Sequence, residues 1–542
     1  MTTPDSVPRD FQQIEALSII QGMGSSVFQP FGGTSGWSGS HKNRLGLYMS
    51  GKNSIFAASL PLIALFERES TALTDISPTN ETWIDKLREA VGREDAVRHS
   101  AEVLAAHSHD WWPMNAPWRH QGKAPHQPQA VAYPKTTEEV ASLLQAAAEF
   151  EVPVTPWGLA SSVVGGPLAA KGGVVMDLTA MDKIIDINTD NMHVTVEAGL
   201  NGGVLEDRLQ AQGLTLNHSP QSLHRSTVGG WLATRATGQF SSCYGGIEDL
   251  CVGFKAVLPD GQIVDVGRAP RMAVGPDLRQ VLIGSEGCLG VITEVTMQLF
   301  HLAETRQFET VTFPDVSSGL AAMRAIMLGG LKPFLLRFYD LAEARHAMKD
   351  ASFDSPVMFL GAEGLTAMAQ IELAEALKIC AAQGGEAIGP EGALGWMDRR
   401  FDFSTIEKVL DREGGVAETI EVAHTWSGIG ATYEALTTAL APYTTEVLGH
   451  FSHAYRDGIS LYVILLGNAA SPAEAEERMR AIWDTAMRVT LDTGAVLSHH
   501  HGTGLARSGF VREALGSSWP LYDSIKKALD PKMIMNPGKL GH

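Results

Sequence analysis

Long apolar runs, cysteine and surplus positive charge are all scarce in this sequence, and each scarcity removes a class of function. No stretch of about 18 uninterrupted apolar residues occurs, so no segment reads as a membrane span. The N-terminus lacks the basic-then-apolar profile of a secretory signal, which makes the cytoplasm the expected compartment. The four cysteines, at 243, 251, 288 and 380, have no metal-type spacing and read as buried reduced thiols rather than a disulfide framework. Lys and Arg number 42 against 61 Asp and Glu, a formal net charge of −19. Sequence-independent nucleic-acid binding needs a basic surface, so no nucleic-acid partner is expected. A local cluster such as Arg268, Arg271 and Arg279 can still be positive on an acidic chain. Internal repeats and low-complexity tracts are absent as well.

What is present is an ordinary globular composition, and at 542 residues the chain exceeds what one hydrophobic core supports. Two or three domains are therefore expected. Residues 32–39 are glycine-rich but lack the Gly-Lys-Ser/Thr ending of a nucleotide loop, and read as a surface loop. Residues 81–107 carry Trp83, Leu87, Ala90 and Val91 at helical spacing. From Gln129 short units alternate: a strand over 130–133, a helix over 136–151 and a strand over 152–156 make a β-α-β unit. Strand-like runs follow at 173–178, 193–199 and 252–258, with Pro259-Asp260-Gly261 as a hairpin turn and a helix over 203–213 between. Beyond Phe300, strands at 308–313, 334–338, 357–360 and 459–466 are mixed with helices at 316–328, 367–383 and 472–493. That pattern suits an antiparallel sheet with flanking helices.

Four separated segments carry the chemistry. Pro156-Trp157-Gly158-Leu159-Ala160-Ser161-Ser162 follows a strand directly, and its small residues let backbone N–H groups approach a diphosphate without a metal. Gln221-Ser222-Leu223-His224-Arg225-Ser226-Thr227 runs into a glycine pair, and Thr234-Arg235-Ala236-Thr237 comes soon after. Glu286-Gly287-Cys288-Leu289-Gly290-Val291-Ile292 places small residues before a β-branched strand. Such stretches can wrap a long, flat cofactor with backbone donors and short side chains.

In this order and spacing the four segments resemble the FAD-binding domain of the vanillyl-alcohol oxidase superfamily. The chain particularly resembles alkylglycerone-phosphate synthases, through Ser226-Thr227-Val228-Gly229-Gly230-Trp231, Arg271-Met272 with Gly275-Pro276-Asp277, and Leu497-Ser498-His499-His500-His501-Gly502. The resemblance runs from about Gln129 to the C-terminus. It implies FAD as cofactor, a small-molecule substrate, a homodimer and an α+β fold. That fold comprises a two-subdomain FAD-binding domain over 124–303 and an antiparallel-sheet cap with flanking helices over 304–500. An N-terminal helical region, 1–123, precedes them, and 501–542 returns to the FAD domain.

Three features depart from the resemblance. Gly158-Leu159-Ala160-Ser161-Ser162 stands where that family usually has Gly-Gly-Gly-Thr-Ser, and Gln221 replaces an acidic residue. The tail Asn536-Pro537-Gly538-Lys539-Leu540 looks more like D-lactate dehydrogenase-type relatives.

The resemblance also places Arg337, Tyr462 and the triplet His499-His500-His501 on the substrate side of the flavin. Arg337 can hold an anion or steady charge near flavin N5; its alternative is a structural salt bridge. Tyr462 can move a proton, or be an ordinary half-buried sheet tyrosine. Adjacent imidazoles titrate near neutrality and suit acid–base or anion-holding roles, against the alternative of a solvated run. On a strand, 499 and 501 would face one side and 500 the other, so no metal site is expected. The expected activity is oxidation of an alcohol or 2-hydroxy acid carbon, with hydride passing to flavin N5. The alternative is a redox-neutral exchange of acyl for alkyl on a dihydroxyacetone-phosphate ester. A flavin-binding module without catalysis fits poorly with so many acid–base groups.

Overall fold

The Thr136 side chain accepts the N–H of Glu139 and so opens the helix Thr137–Glu149, whose Val140, Leu143, Leu144 and Ala147 are buried at helical spacing. The computed structural model describes residues 80–267 and 269–542; the glycine-rich stretch 32–39 and Arg268 lie outside the described residues. Four strands, β1 (Val97–Arg98), β2 (Ala130–Ala132), β3 (Val154–Trp157) and β4 (Val174–Asp177), pair in the order β1-β2-β4-β3. β2 and β3 both run parallel to β4, so the expected β-α-β unit has a third strand between its two. Residues 81–107 are not continuously helical. The helices Asn80–Val91 and Ala101–Ala106 flank β1, which pairs antiparallel with β2 and is too short to show a period in sequence.

Seven further strands are β5 (Ile184–Asn188), β6 (His193–Glu197), β7 (Leu214–Thr215), β8 (Cys251–Val257), β9 (Ile263–Gly267), β10 (Val291–Gln298) and β11 (Phe300–His301). Five of them form an antiparallel sheet in the order β5-β6-β10-β8-β9, and β7 pairs with β11. All four cysteines are free thiols, three of them buried.

The cap is one antiparallel sheet of β12 (Thr305–Thr312), β13 (Leu335–Tyr339), β14 (Val357–Gly364), β15 (Glu386–Gly389), β16 (Gly415–Thr425), β17 (Glu446–Ser452) and β18 (Gly458–Asn468). Their order is β15-β12-β14-β13-β17-β18-β16. Leu336, Phe338, Phe451, Leu461 and Val463 are buried on one face, in a core shared with the helices Val316–Leu328, Ile429–Leu440 and Pro472–Asp492. Each such side chain stabilises the fold by about 1.5–3 kcal/mol. The two-residue period of a strand then turns Arg337, Tyr339, His450 and Tyr462 to the opposite face. Register aligns them: Tyr339 opposes His450, His450 opposes Tyr462, and Tyr462 opposes Glu421.

Residues near the C-terminus join β3. Val154 bonds Ile534 and Asn536 through the backbone, both at 2.8 Å. The Asn536 amide donates to the carbonyls of Gly166 at 3.2 Å and Glu286 at 2.7 Å. Among the described residues no helix is long and apolar enough to cross a membrane.

Candidate active site

The Gly/Ser/Thr-rich segments and the polar face of the cap sheet enclose one cavity of about 570 Å³, within the range of small-molecule and cofactor sites. Residues 156–162 all line it, as do Gln221, Ser222, Arg225, Ser226 and Thr227. Thr234, Ala236, Thr237, Glu286, Gly287, Gly290, Val291 and Ile292 complete that side. The loops press close. A Cβ on Gly158 would stand 2.4 Å from Thr227 Oγ1, and one on Gly287 would stand 2.8 Å from Pro156 Cγ, so glycine is required at both. Among the described residues, the backbone N–H groups of Gly158 to Ser162 have no protein acceptor. A row of free donors on a tight loop is the chemistry a diphosphate needs. The donor set and the cavity fit FAD.

Five residues read from the sequence as cofactor contacts stand outside this wall. Leu223 and Leu289 are buried in the core beneath it. The His224 ring packs against Phe401 at 4.9 Å. Arg235, left-handed at φ 55°, ends the helix Val228–Thr234 and donates to Gln280. Cys288 is buried with its thiol 3.7 Å from the Asn536 carbonyl. Neighbouring glycines and hydroxyls reach the cavity, while Leu223, Cys288 and Leu289 turn into protein and His224 and Arg235 lie toward the surface.

On the cap side, Arg337, Tyr462, His500 and His501 face the cavity, whereas His499 does not line it. The Tyr462 hydroxyl stands 2.5 Å from His500 Nε2, and His500 Nδ1 lies 2.9 Å from His499 Nδ1. Arg337 donates to the Tyr339 hydroxyl and to His450 Nε2, each at 2.6 Å. A guanidinium can only donate, so His450 presents its Nε2 lone pair and carries its proton on Nδ1, 2.8 Å from Glu343. Burial, then Arg337, hold His450 well below the ordinary imidazole value. Burial pushes Glu343 up to about 8 against the pull of Arg337. Burial, with Glu421 adding to it, raises the Tyr462 phenol well above its ordinary value.

The histidine triplet is not on a strand. Its chain bends around the fully buried Glu421 carboxylate, which accepts the backbone N–H groups of His499, His500 and His501 at 2.7, 3.1 and 3.4 Å. Ser498 Oγ at 3.0 Å and the buried Arg507 at 3.4 Å add two more donors. The alternation expected of 499, 500 and 501 therefore does not apply. Burial alone would raise Glu421, but His500, His501 and Arg507 hold it well below the usual carboxylate range. Burial pushes His499 down to about 4 and His501 to about 3. Glu421, His499 and His500 each offer an atom within 4.8 Å of the others, a spacing that could hold a metal ion. The lone pairs of Glu421 are, however, already spent on the loop.

Sequence reading missed Glu421, Arg507, His450 and His453. His453 is buried in a left-handed conformation at φ 52°, lines the cavity, bonds Ser241 at 2.8 Å and stacks on His499 at 5.5 Å. Such strain at a cavity wall was the only local signal, and it is invisible without the backbone.

Residues 128–267 match the FAD binding domain and 302–540 the C-terminal domain of FAD linked oxidases. An uncharacterised FAD-linked oxidoreductase of Escherichia coli K12, YgcU, is 31% identical over 486 residues, covering 84% of this chain and 97% of that protein. The chain belongs to the FAD-linked oxidoreductase family. FAD is the cofactor of this FAD-linked enzyme. Other relatives divide between two chemistries. The alkyldihydroxyacetonephosphate synthase of Dictyostelium discoideum is 26% identical, covering 77% of this chain and 74% of its own. The mitochondrial D-lactate dehydrogenase (cytochrome) of Arabidopsis thaliana is 28% identical with the same coverages. The fold is that of the vanillyl-alcohol oxidase superfamily: p-cresol methylhydroxylase superposes with a TM-score of 0.73 at 18% identity, covering 85% of this chain and 96% of its own.

Proposed function

We propose that this FAD-linked oxidoreductase oxidises the hydroxyl-bearing carbon of an alcohol or 2-hydroxy acid to a carbonyl. The observation that carries the reading is the Tyr462 hydroxyl 2.5 Å from His500 Nε2, facing the same cavity as Arg337. Arg337 would hold the substrate carboxylate through its remaining N–H groups, with neutral His450 leaving its charge uncancelled. A phenol with a raised pKa is no base by itself. Tyr462 would accept the substrate hydroxyl proton as it passes its own to His500 Nε2. Segments 156–162, 221–227, 234–237 and 286–292 would hold FAD through backbone N–H groups and short hydroxyls. Bound FAD supplies the acceptor for the hydride that leaves the carbon.

The domain limits at 123, 303 and 500, a homodimer and a cytoplasmic location belong to the same proposal. Limited proteolysis, sedimentation and cell fractionation test them.

A second reading, exchange of acyl for alkyl on a dihydroxyacetone-phosphate ester, is favoured by the Dictyostelium relative and by the triplet at 499–501. Mixing the purified yellow protein anaerobically with candidates separates the two. Bleaching by an alcohol or 2-hydroxy acid, lost in Tyr462→Phe with FAD retained, is the expected result. Incorporation of a fatty alcohol without net bleaching establishes the second reading and overturns the first.

A further inference from the structure

Three cations share the cap end of the cavity, and among the described residues no carboxylate lies within ion-pair distance of them. The helix Leu341–Met348 ends at Lys349, left-handed at φ 55°, and the helix Glu391–Arg399 runs directly into Arg400. Arg399 ties the two helix ends together by donating to the Ala347 carbonyl at 3.0 Å. Arg400 donates to the Met397 carbonyl at 2.5 Å and lies over the Phe401 ring at 4.4 Å, while its Nε is buried without a partner. Among the described residues, Lys349, Arg399 and Arg400 make no ion pair. The other two cations on the wall are engaged: Arg225 with Glu407 at 3.1 Å, and Arg337 with Tyr339 and His450. The acids nearby do not close the gap. Asp402 lines the same wall, accepts the Ser404 N–H at 2.8 Å and meets Lys349 only beyond ion-pair distance, and Asp398 acts on Arg400 after burial and Arg306.

Taking a guanidinium partly out of water without a counter-anion is unfavourable. Burial, then the neighbouring Arg306, lowers Arg400 below its ordinary value. A chain of net charge −19 has carboxylates in plenty, yet among the described residues none comes within ion-pair distance of this cluster. Trp396 links the cluster to the reacting end, since its ring lies 5.4 Å from the Arg337 guanidinium. Arg399 and Arg400 follow Trp396 by three and four residues, on the same side and one turn further on. The two anion-holding points are thus on the order of 10 Å apart.

We infer that Lys349, Arg399 and Arg400 form a second anion site, and that the preferred substrate is a 2-hydroxy acid bearing another anionic group, carboxylate or phosphate, at its far end. The inference rests on the oxidation proposed above.

Steady-state turnover of the full-length holoenzyme, with an artificial dye added as electron acceptor to re-oxidise the flavin, tests it. The probes are five-carbon 2-hydroxy acids with and without a terminal carboxylate, and a 2-hydroxy acid with a terminal phosphate. The wild type should show a KM about tenfold lower for at least one dianion. Arg399→Ala/Arg400→Ala should erase that preference, and Arg399→Lys/Arg400→Lys should keep most of it. The carboxylate and phosphate arms tell which anion is meant. No preference in the wild type, or an undiminished one in the alanine variant, overturns the inference. Should no 2-hydroxy acid bleach the flavin, the oxidation itself is wrong and binding decides the site. Titration with glutarate or inorganic phosphate, read by flavin absorbance, should then give a Kd about tenfold weaker in the alanine variant. Equal affinity, or no saturable binding, disposes of the site as well.

Discussion

His500 donates its backbone N–H to Glu421 at 3.1 Å while its ring meets the Tyr462 hydroxyl at 2.5 Å. Glu421 and Tyr462 are direct neighbours across β16 and β18. One strand pairing therefore fixes both the phenol and the carboxylate that shapes the histidine loop.

Replacing Glu421 by Gln puts an N–H among N–H donors and leaves the buried Arg507 without its counter-charge. Loss of one partner of a buried ion pair costs about 3–5 kcal/mol, and a displaced His500 should slow flavin bleaching by about 10²–10⁴-fold. Thermal unfolding and anaerobic stopped flow measure the two effects. Bleaching at the wild-type rate would show that the loop holds its shape without the carboxylate.

Ala160 sits at φ 52° in the first cofactor loop, where the resembling family carries glycine. A left-handed alanine costs about 1–2 kcal/mol, partly offset by the greater chain entropy of glycine. Ala160→Gly should raise stability by up to about 1 kcal/mol and leave FAD content unchanged. Denaturant unfolding checks this, and a destabilised variant would mean that the loop needs the Ala160 methyl.

His218 is buried and neither ring nitrogen has a partner among the described residues, its ring set edge-on to Trp231 at 4.7 Å. Burial, with His500 nearby, pushes it down to about 3. Below about pH 6.5 the unfolded chain takes up a proton here that the folded chain refuses, so stability falls as pH drops toward 3. His218→Phe removes that penalty. Relative to wild type it should gain about 2 kcal/mol more at pH 5 than at pH 8, read from unfolding curves. An equal effect at both pH values would place the His218 proton elsewhere.

The loops at 156–162 and 286–292 were legible because closely approaching backbone demands small residues, and that demand shows as composition. Tyr462 and Arg337 could be named through resemblance alone, since a single residue on an apolar strand has no local signature. β16 was not legible. Glu418 and Glu421 break its apolar pattern, and both are buried. What makes Glu421 bearable there is a loop 77 to 80 residues further on, and no window of neighbouring sequence contains that information. Leu223, Leu289 and Cys288 share their segments with cavity-lining neighbours, and side-chain direction, which differs residue by residue, leaves no mark in composition.

The Asn536 amide clamps the Glu286 carbonyl across 250 positions of chain. At biosynthetic speeds of about 5–20 residues per second, the earlier loop leaves the ribosome on the order of ten seconds or more before its clamp exists. Tight flavin capture must then wait until synthesis has passed Asn536, and nascent chains arrested short of that point should emerge pale.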